Sequence, residues 1–224
     1  MNDIAFFGDS DDHFLMDAYN ILKTRGFPVE FLHFAETKLP LDYQFRVIVD
    51  RASYADPFLR TMMKNESLKG TYVISNPFTE SCDDKITEYT ICQKLGIPFP
   101  KTIVLPKFNA DIDVHEQVDY PNLDSVFSQL RFPIVLKPHD GYAWDYVSIV
   151  SNIDEAKRIY ESEKMKLVLL AQEFIQSKSF YRVYYFTNKE PVFVKYSPSE
   201  RHYMASDYSD IRSIYDKIRE YTIK

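Results

Sequence analysis

Short apolar stretches alternate with helix-like segments over the first 75 residues, and this alternation constrains the fold more than any other feature of the chain. Gly26 follows the first helical pattern, where a glycine favours a helix end. The predicted order is strand 4–7, helix 10–26, strand 29–34, strand 46–49, helix 54–69 and strand 71–75. Parallel strands need a crossover connection, which is usually a helix. The sequence therefore predicts a small parallel α/β unit over residues 1–75.

Residues 76–224 are predicted to form a second region that mixes helices and strands. Asn76-Pro77 breaks the chain, and the helix that follows ends at Gly96. The further predicted strands are 101–105, 134–137, 147–150, 167–174, 181–187 and 192–196. The further predicted helices are 123–129, 152–163 and 207–224. We expect two antiparallel hairpins, one from strands 134–137 and 147–150 and one from the last two strands, which "TNKEP" connects.

Composition and charge argue against several classes of function. A net charge of −6 without a basic cluster argues against nucleic-acid binding. Apolar runs such as residues 167–171 are too short to span a bilayer, and the first residues lack the pattern of a secretory signal. Cys82 and Cys92 lack metal-ligand spacing, which favours free thiols in a reducing compartment. The sequence thus predicts a cytoplasmic protein that binds neither nucleic acid nor membranes.

A lysine interrupts the apolar segment "PIVLKP" at residues 133–138. The preceding residues read as a buried strand, and Lys137 continues this strand before a proline ends it. An ammonium group there loses hydration and needs an anionic partner. The alternative is a lysine that extends its stem along the strand and keeps its charge in water.

Three segments that contain charged residues follow one another in a specific order. They are "DDK" at residues 83–85, "PIVLKPHDGYAWDYV" at 133–147 and "LLAQEFI" at 169–175. This order and spacing resemble the ATP-grasp superfamily, and are most similar to its RimK-like and glutathione-synthetase-like ligases. The resemblance implies a Rossmann-like pre-ATP-grasp domain over residues 1–75 and an ATP-grasp region over 76–224. It further implies an α+β lid at about 98–168 and an incomplete C-terminal subdomain at 169–224.

The resemblance assigns two lysines and one loop to the phosphates of ATP. Lys137 matches the strand lysine that reaches the phosphates, and Lys85 matches a lysine that also approaches them, although a surface lysine at a helix start is its alternative. The loop residues that the match places over the phosphates are Asp140, Gly141, Tyr142 and Trp144. The family usually has several glycines in this loop, and this chain has Gly141 alone. Whether Trp144 covers ATP or anchors the lid stays open.

The resemblance also implies a binding segment for the adenine base. Gln172, Glu173, Phe174 and Ile175 match a strand-to-hinge segment whose main chain pairs with adenine while apolar side chains flank the ring. Glu173 either reaches the ribose or faces solvent. A buried strand without a ligand is the alternative interpretation of this stretch.

Two cations in the last strands match catalytic positions of the family. Arg182 matches an arginine whose guanidinium holds a carboxylate or phosphoryl oxygen. Lys195 matches a basic position near the γ-phosphate, with a solvated lysine on an edge strand as the alternative. Phe180 stands where the family often has a carboxylate.

The family's magnesium carboxylates come from strands beyond the last residue of this chain, and the acidic residues of segment 207–220 do not fit that role. We therefore assign no metal ligand, and expect either a truncated piece or a natural short form. The cofactors implied by the resemblance are ATP and Mg²⁺.

The function implied is an ATP-dependent carboxylate–amine (or thiol) ligase that acts through an acyl phosphate. Its partners would be ATP and a small carboxylate and amine substrate or a peptide, and a homodimer is left open. The alternatives are a catalytically silent nucleotide-binding module with a regulatory or partner-binding role and a purely structural α/β protein.

Overall fold

The computed structural model of the chain describes residues 3–34, 45–79, 84–108, 118–141, 144–186, 188–200, 202–205 and 208–223. The chain divides into two compact units, an N-terminal unit (Met1–Asp83) and a C-terminal unit (Asp84–Lys224).

The N-terminal unit is built on a parallel four-stranded sheet with the strand order β2-β1-β3-β4. The strands are β1 (Ile4–Phe7), β2 (Val29–Phe31), β3 (Val47–Asp50) and β4 (Tyr72–Ile74), and the helices are α1 (His13–Thr24) and α2 (Pro57–Leu68). One core contains Met63 of α2 and four residues of the strands, Ala5, Phe7, Ile48 and Val73. The parallel α/β unit predicted from the sequence is therefore confirmed.

Helix α2 begins later than the sequence predicted. Residues Ser53–Ala55 form a short 3-10 turn, and Asp56 then caps α2 by accepting the backbone N–H groups of Phe58 and Leu59. The predicted start at residue 54 was wrong because Pro57 favours an extended conformation of the preceding residue, and Asp56 has φ −143° and ψ 131°.

The C-terminal unit contains two antiparallel sheets. The larger sheet has the order β5-β8-β6-β7 and the smaller one β11-β10-β9. The strands are β5 (Thr102–Leu105), β6 (Ile134–Pro138), β7 (Ser148–Val150), β8 (Leu169–Glu173), β9 (Phe180–Tyr184), β10 (Val192–Ser197) and β11 (His202–Met204). The helices are α3 (Lys85–Leu95), α4 (Leu123–Phe127), α5 (Ile153–Glu163) and α6 (Tyr215–Ile223). Both predicted hairpins are confirmed, since β6 pairs with β7 and β9 pairs with β10.

The last part of the chain differs from the sequence prediction. Helix α6 begins at Tyr215 after a 3-10 turn at Arg212–Ile214, so the predicted helix start at residue 207 was wrong. Strand β11 was not predicted. It has three residues, too few for a recognisable period, and it exists through its pairing with β10.

Strand β6 separates the core of the C-terminal unit from its surface. Ile134 and Leu136 are fully buried in an apolar core that also contains Phe127 and Tyr160. Alternate residues of a strand point to opposite faces. Lys137 is therefore held on the face opposite this core by the same strand that is anchored in it.

Tyr160 gives this core a pH-dependent stability. Its side chain is fully buried and donates a hydrogen bond to the carbonyl of Pro106 (2.9 Å), and burial raises its pKa to about 12. Since the unfolded chain ionises this group near the ordinary tyrosine value of about 10, the stabilisation is complete below that pH and is lost as the pH rises towards 12. We expect Tyr160→Phe to be less stable than the wild type at pH 8, with the difference shrinking between pH 10 and 12. Urea unfolding of both proteins between pH 8 and 12 measures the difference in their free energies of unfolding. A difference that does not change with pH would contradict the raised pKa of Tyr160.

Candidate functional site

A cleft of about 710 Å³ lies within the C-terminal unit, and both sheets of this unit contribute to its walls. This volume is in the range of small-molecule and cofactor sites. Nine residues that the sequence predicted for a site line the cleft: Lys85, Lys137, Gly141, Trp144, Gln172, Glu173, Phe174, Ile175 and Arg182.

Lys137 reaches the cleft from β6 and is held there by two neutral side chains. Its Nζ donates to Oε1 of Gln172 (2.8 Å) and to the phenol oxygen of Tyr89 (2.9 Å). Gln172 in turn donates from Nε2 to Tyr89 (3.0 Å) and to Oγ1 of Thr102 (2.7 Å). The lysine thus projects from an ordered polar network in which its positive charge is not neutralised.

Lys85 is the first residue of α3 and is bound to the loop that follows β6. Its Nζ donates to the carbonyl of Gly141 (2.7 Å) and to that of His139 (3.3 Å), and its backbone N–H also donates to His139 (2.9 Å). The neighbouring Asp84 caps the helix, and hydrogen bonds from the backbone and hydroxyl of Thr87 hold the pKa of this carboxyl below its ordinary value. The contacts recorded for the Lys85 ammonium are therefore with neutral carbonyl oxygens.

Arg182 lines the cleft from the smaller sheet. Its guanidinium carbon lies 4.7 Å from the ring centre of Tyr196 and 5.6 Å from that of Tyr203, within the range of cation–π contacts. Tyr184 completes this group of aromatic residues, and its hydrogen bond to the Tyr203 hydroxyl (3.0 Å) raises the pKa of Tyr184.

Three cations of the cleft thus share one electrostatic property. Among the residues that the structure describes, no carboxylate makes an ion pair with Lys85, Lys137 or Arg182. Cations with only neutral partners leave a concave surface with a positive potential, which favours an anionic ligand. The cleft is therefore an anion-binding candidate.

The structure does not bring Lys195 to the cleft. On β10, Tyr196 pairs with Phe180 and faces the cleft, so that Lys195 points to the opposite side of the sheet. There its Nζ makes an ion pair with Asp210 (2.7 Å), and this bond is the main cause that lowers the pKa of Asp210 to about 2. The catalytic position that the sequence suggested for Lys195 therefore has no geometric support.

The end of β8 enters the cleft with two partly exposed apolar side chains, Phe174 (41%) and Ile175 (55%). The N–H groups of Glu173 and Phe174 already donate to the carbonyls of Lys101 (3.0 Å) and Pro133 (3.1 Å). A nucleotide base that accepted a hydrogen bond from this backbone would therefore need an N–H group at Ile175 or beyond.

Glu173 lines the cleft, but its carboxylate has another partner. It accepts the backbone N–H of Arg131 (3.1 Å) and lies 3.6 Å from the Arg131 guanidinium. The arrangement favours a structural contact over the suggested contact with a ribose.

In the loop after β6, Gly141 packs closely against the strand, whereas Trp144 is exposed to the cleft. A Cβ added at Gly141 would lie 3.0 Å from the side chain of Pro138, so the close approach of the loop to the strand favours glycine. Trp144 and Tyr146 have positive φ angles of 68° and 54°, which bulky residues rarely adopt. Trp144 lines the cleft and is 55% exposed. A strained backbone that presents an aromatic side chain to a cleft is consistent with ligand contact rather than with anchoring in a core.

Two of the loop residues suggested from the sequence are not placed in the cleft. Asp140 is not among its lining residues, and its carboxylate lies 3.7 Å from Nε2 of His139. Tyr142 lies outside the described residues.

Sequence reasoning missed Tyr89, which contacts both Lys137 and Gln172. A signal was present, because Tyr89 follows Lys85 by four positions on α3 and residues at this spacing share one face of a helix. Without knowledge that β6 packs beside this face, the spacing alone did not distinguish Tyr89 from an ordinary surface tyrosine.

The described residues offer neither a metal site nor a helix that could span a membrane. They contain no group of three or more His, Cys, Asp or Glu side chains placed to hold a metal ion. None of their helices combines the length and the apolar character that crossing a membrane requires.

No family model matches the sequence. The Glutamate–LysW ligase ArgX of Sulfolobus acidocaldarius is 30% identical over 135 residues, which are 58% of this chain and 41% of that protein. The matched part thus spans about two fifths of the length of this curated relative.

Solved structures show the class of fold. The RimK domain ATP-grasp protein of Sphaerobacter thermophilus superposes with a TM-score of 0.67 at 18% identity, over 97% of this chain and 81% of that one. The D-alanine–D-alanine ligase of Bacillus anthracis, in a complex with ATP, superposes with a TM-score of 0.61 at 14% identity, over 98% of this chain and 74% of that one. The chain has the ATP-grasp fold, and the resemblance that the sequence motifs indicated is confirmed for the fold.

Proposed function

We propose that the chain binds ATP in the cleft of the C-terminal unit and acts as an ATP-dependent ligase, or as the nucleotide-binding part of one. The observation that carries this proposal is that Lys85 and Lys137 line one cleft with only neutral oxygens as recorded partners. Charge-assisted contacts with phosphate oxygens are stronger than those with neutral oxygens. A polyphosphate therefore satisfies these ammonium groups better than their present partners do.

The other end of the cleft suits a nucleotide base. Phe174 and Ile175 offer partly exposed apolar surface. Within the described chain, residues 175–179, which lead to the start of β9, have no recorded backbone hydrogen bond. We place the adenine against these side chains and the triphosphate towards Lys137 and the Gly141 loop. One solved structure with the same fold is a complex with ATP, which supports nucleotide binding as the proposed role of the cleft.

The proposed reaction joins a carboxylate to an amine or, less often, a thiol. The carboxylate oxygen attacks the γ-phosphorus of ATP, the bond to the bridging oxygen breaks, and ADP leaves with an acyl phosphate as the second product. The amine then attacks the acyl carbon, inorganic phosphate leaves, and the amine nitrogen loses a proton. Arg182 stands in the cleft without a carboxylate partner among the described residues, which suits it to hold an anionic oxygen of the acid or of the acyl phosphate.

The activities of two similar proteins support a class of substrate. One of them is a ligase for glutamate and LysW and another joins D-alanine to D-alanine. We propose a small amino acid or a peptide as the carboxylate partner of this chain.

Magnesium is not supported by side chains of the described residues, because these residues offer no group of three metal-binding side chains. We therefore assign no step of the reaction to protein-bound metal. Any Mg²⁺ would reach the cleft with the nucleotide and be held by phosphate oxygens and water.

Thermal unfolding with nucleotides tests the proposal. With Mg²⁺ constant, ATP at about 100 times its Kd is expected to raise the Tm by roughly 5–10 °C. ADP and AMP, at the same concentration, should have progressively smaller effects because they carry fewer phosphates for the two lysines. The absence of a shift with ATP would contradict the proposal. ATP binding without ADP release, in the presence of panels of acids and amines, would instead favour the silent nucleotide-binding module.

A further inference from the structure

The position of the Lys137 ammonium is determined by two side chains from other elements. An ammonium group has three N–H donors. Gln172 of β8 and Tyr89 of α3 accept two of them, at 2.8 Å and 2.9 Å. With these two bonds made, one N–H remains for a ligand, and its direction follows from the positions of the two acceptors.

The Gln172 amide depends on Tyr89 and Thr102 for its orientation. Its Nε2 donates to the hydroxyls of Tyr89 (3.0 Å) and Thr102 (2.7 Å), and these two bonds turn its Oε1 towards Lys137. The Tyr89 hydroxyl is thus an acceptor for both the amide and the ammonium, and its removal weakens two bonds of the network at once. Gln172 itself is buried and has little room to find other partners.

Tyr89 is rigid enough to act as a fixed support. Its ring stacks on Phe99 with a centroid distance of 4.9 Å and an interplanar angle of 7°. The Lys137 Nζ lies 2.9 Å from the phenol oxygen and 5.6 Å from the ring centre, so it sits beyond the hydroxyl, roughly in line with the C–O bond, and not over the ring face. The phenol therefore contacts the lysine through its hydroxyl, which is carried by a ring that stacks on Phe99.

We propose that Tyr89 is a positioning residue that aims the Lys137 ammonium at the β- and γ-phosphates of the nucleotide. This inference rests on the proposed function and adds a residue to it that the sequence motifs did not include. Tyr89 is not among the residues that line the cleft, so it acts through Lys137 and has no direct contact with the nucleotide. Helix α3 then supports both lysines of the cleft, Lys85 directly and Lys137 through Tyr89.

The Tyr89→Phe variant tests this role, because it keeps the ring and removes only the hydroxyl. Kd values for ATP, ADP and adenosine are measured by titration calorimetry at constant Mg²⁺. We expect the affinity for ATP and ADP to fall by about tenfold, the order expected for hydrogen bonds that involve a charged group, while the affinity for adenosine stays unchanged. The variant Gln172→Glu provides a second measurement, since a carboxylate beside Lys137 neutralises it and should lower the affinity for ATP while leaving that for adenosine unchanged.

Tyr160→Phe is the matched control. It removes a hydroxyl that is bonded to a backbone carbonyl in the core of the same unit, so it should alter stability without altering the ratio of the ATP and adenosine Kd values. Equal losses for ATP and adenosine in Tyr89→Phe, or no loss at all, would overturn the positioning role while leaving the ATP site in place. A wild-type chain that binds no nucleotide would overturn the proposed function and the positioning role together.

Discussion

Replacing Lys137 with methionine is expected to lower the affinity for ATP by about ten- to 150-fold. Methionine keeps the apolar stem that continues β6 but removes the ammonium group that the cleft presents. Hydrogen bonds to charged groups contribute roughly 1.5–3 kcal/mol, which corresponds to this range of affinities. Calorimetric titration with ATP at constant Mg²⁺ measures the loss.

The same variant should keep its fold, since Lys137 lies outside the apolar core of the unit. Lys101→Met is a suitable control, because Lys101 also donates to a neutral carbonyl, that of Gln129 (2.6 Å), but is not among the residues that line the cleft. An ATP affinity that is the same in the wild type and in Lys137→Met would remove the basis of the proposed nucleotide site.

The second large effect is expected for stability. Ile134→Ala empties a fully buried position in the core of the C-terminal unit and should lower the free energy of unfolding by about 2–5 kcal/mol. For a chain of this size the corresponding fall in Tm is roughly 5–15 °C. Thermal and urea unfolding measure it.

Ile149→Ala provides the matched control on the neighbouring strand β7. Ile149 carries the same side chain but is 56% exposed, so its replacement creates no enclosed cavity and should cost about 1 kcal/mol or less. Equal losses for the two variants would contradict the assignment of Ile134 to the core.

The variants Lys137→Met and Ile134→Ala separate the two faces of β6. Ile134 and Leu136 hold the strand in the core, while Val135 and Lys137 face the cleft. We expect Lys137→Met to lose affinity with a smaller loss of stability than Ile134→Ala, and Ile134→Ala to lose stability with the site intact in the molecules that remain folded. The strand thus couples a rigid anchor to a cleft-facing surface through the two-residue period of its side chains.

Much of the fold was predictable because its signals are local. The segment 4–7 was predicted as a strand and is β1 (Ile4–Phe7), and Gly96 ends α3 in the left-handed conformation that favours glycine. Apolar alternation, caps and turn residues act within a few positions of each other, so a sequence alone reveals them. Strand β11 escaped prediction because its stability comes from its partner strand and not from its own residues.

The candidate site was predictable only in part. The family resemblance assigned Lys85, Lys137 and Arg182 to one site, and the structure brings all three to one cleft. Motif order did not reveal Tyr89, since its contact with Lys137 joins a helix to a strand 48 positions away. Nor did it reveal that the Glu173 carboxylate is turned towards Arg131.

Lys137 and Lys195 show where the sequence stops being informative. Each follows a short apolar run, so the sequence by itself determined that both belong to strands and that both carry a charge near an apolar surface. Only the tertiary structure decided their partners, because sheet pairing sets which face of a strand meets a cleft. Lys137 meets neutral oxygens in the cleft, whereas Lys195 meets the carboxylate of Asp210 on the opposite face of its sheet. A cation whose charge is already neutralised by a carboxylate has less to gain from a phosphate, and for that reason one of two similar lysines is proposed to bind the nucleotide and the other is not.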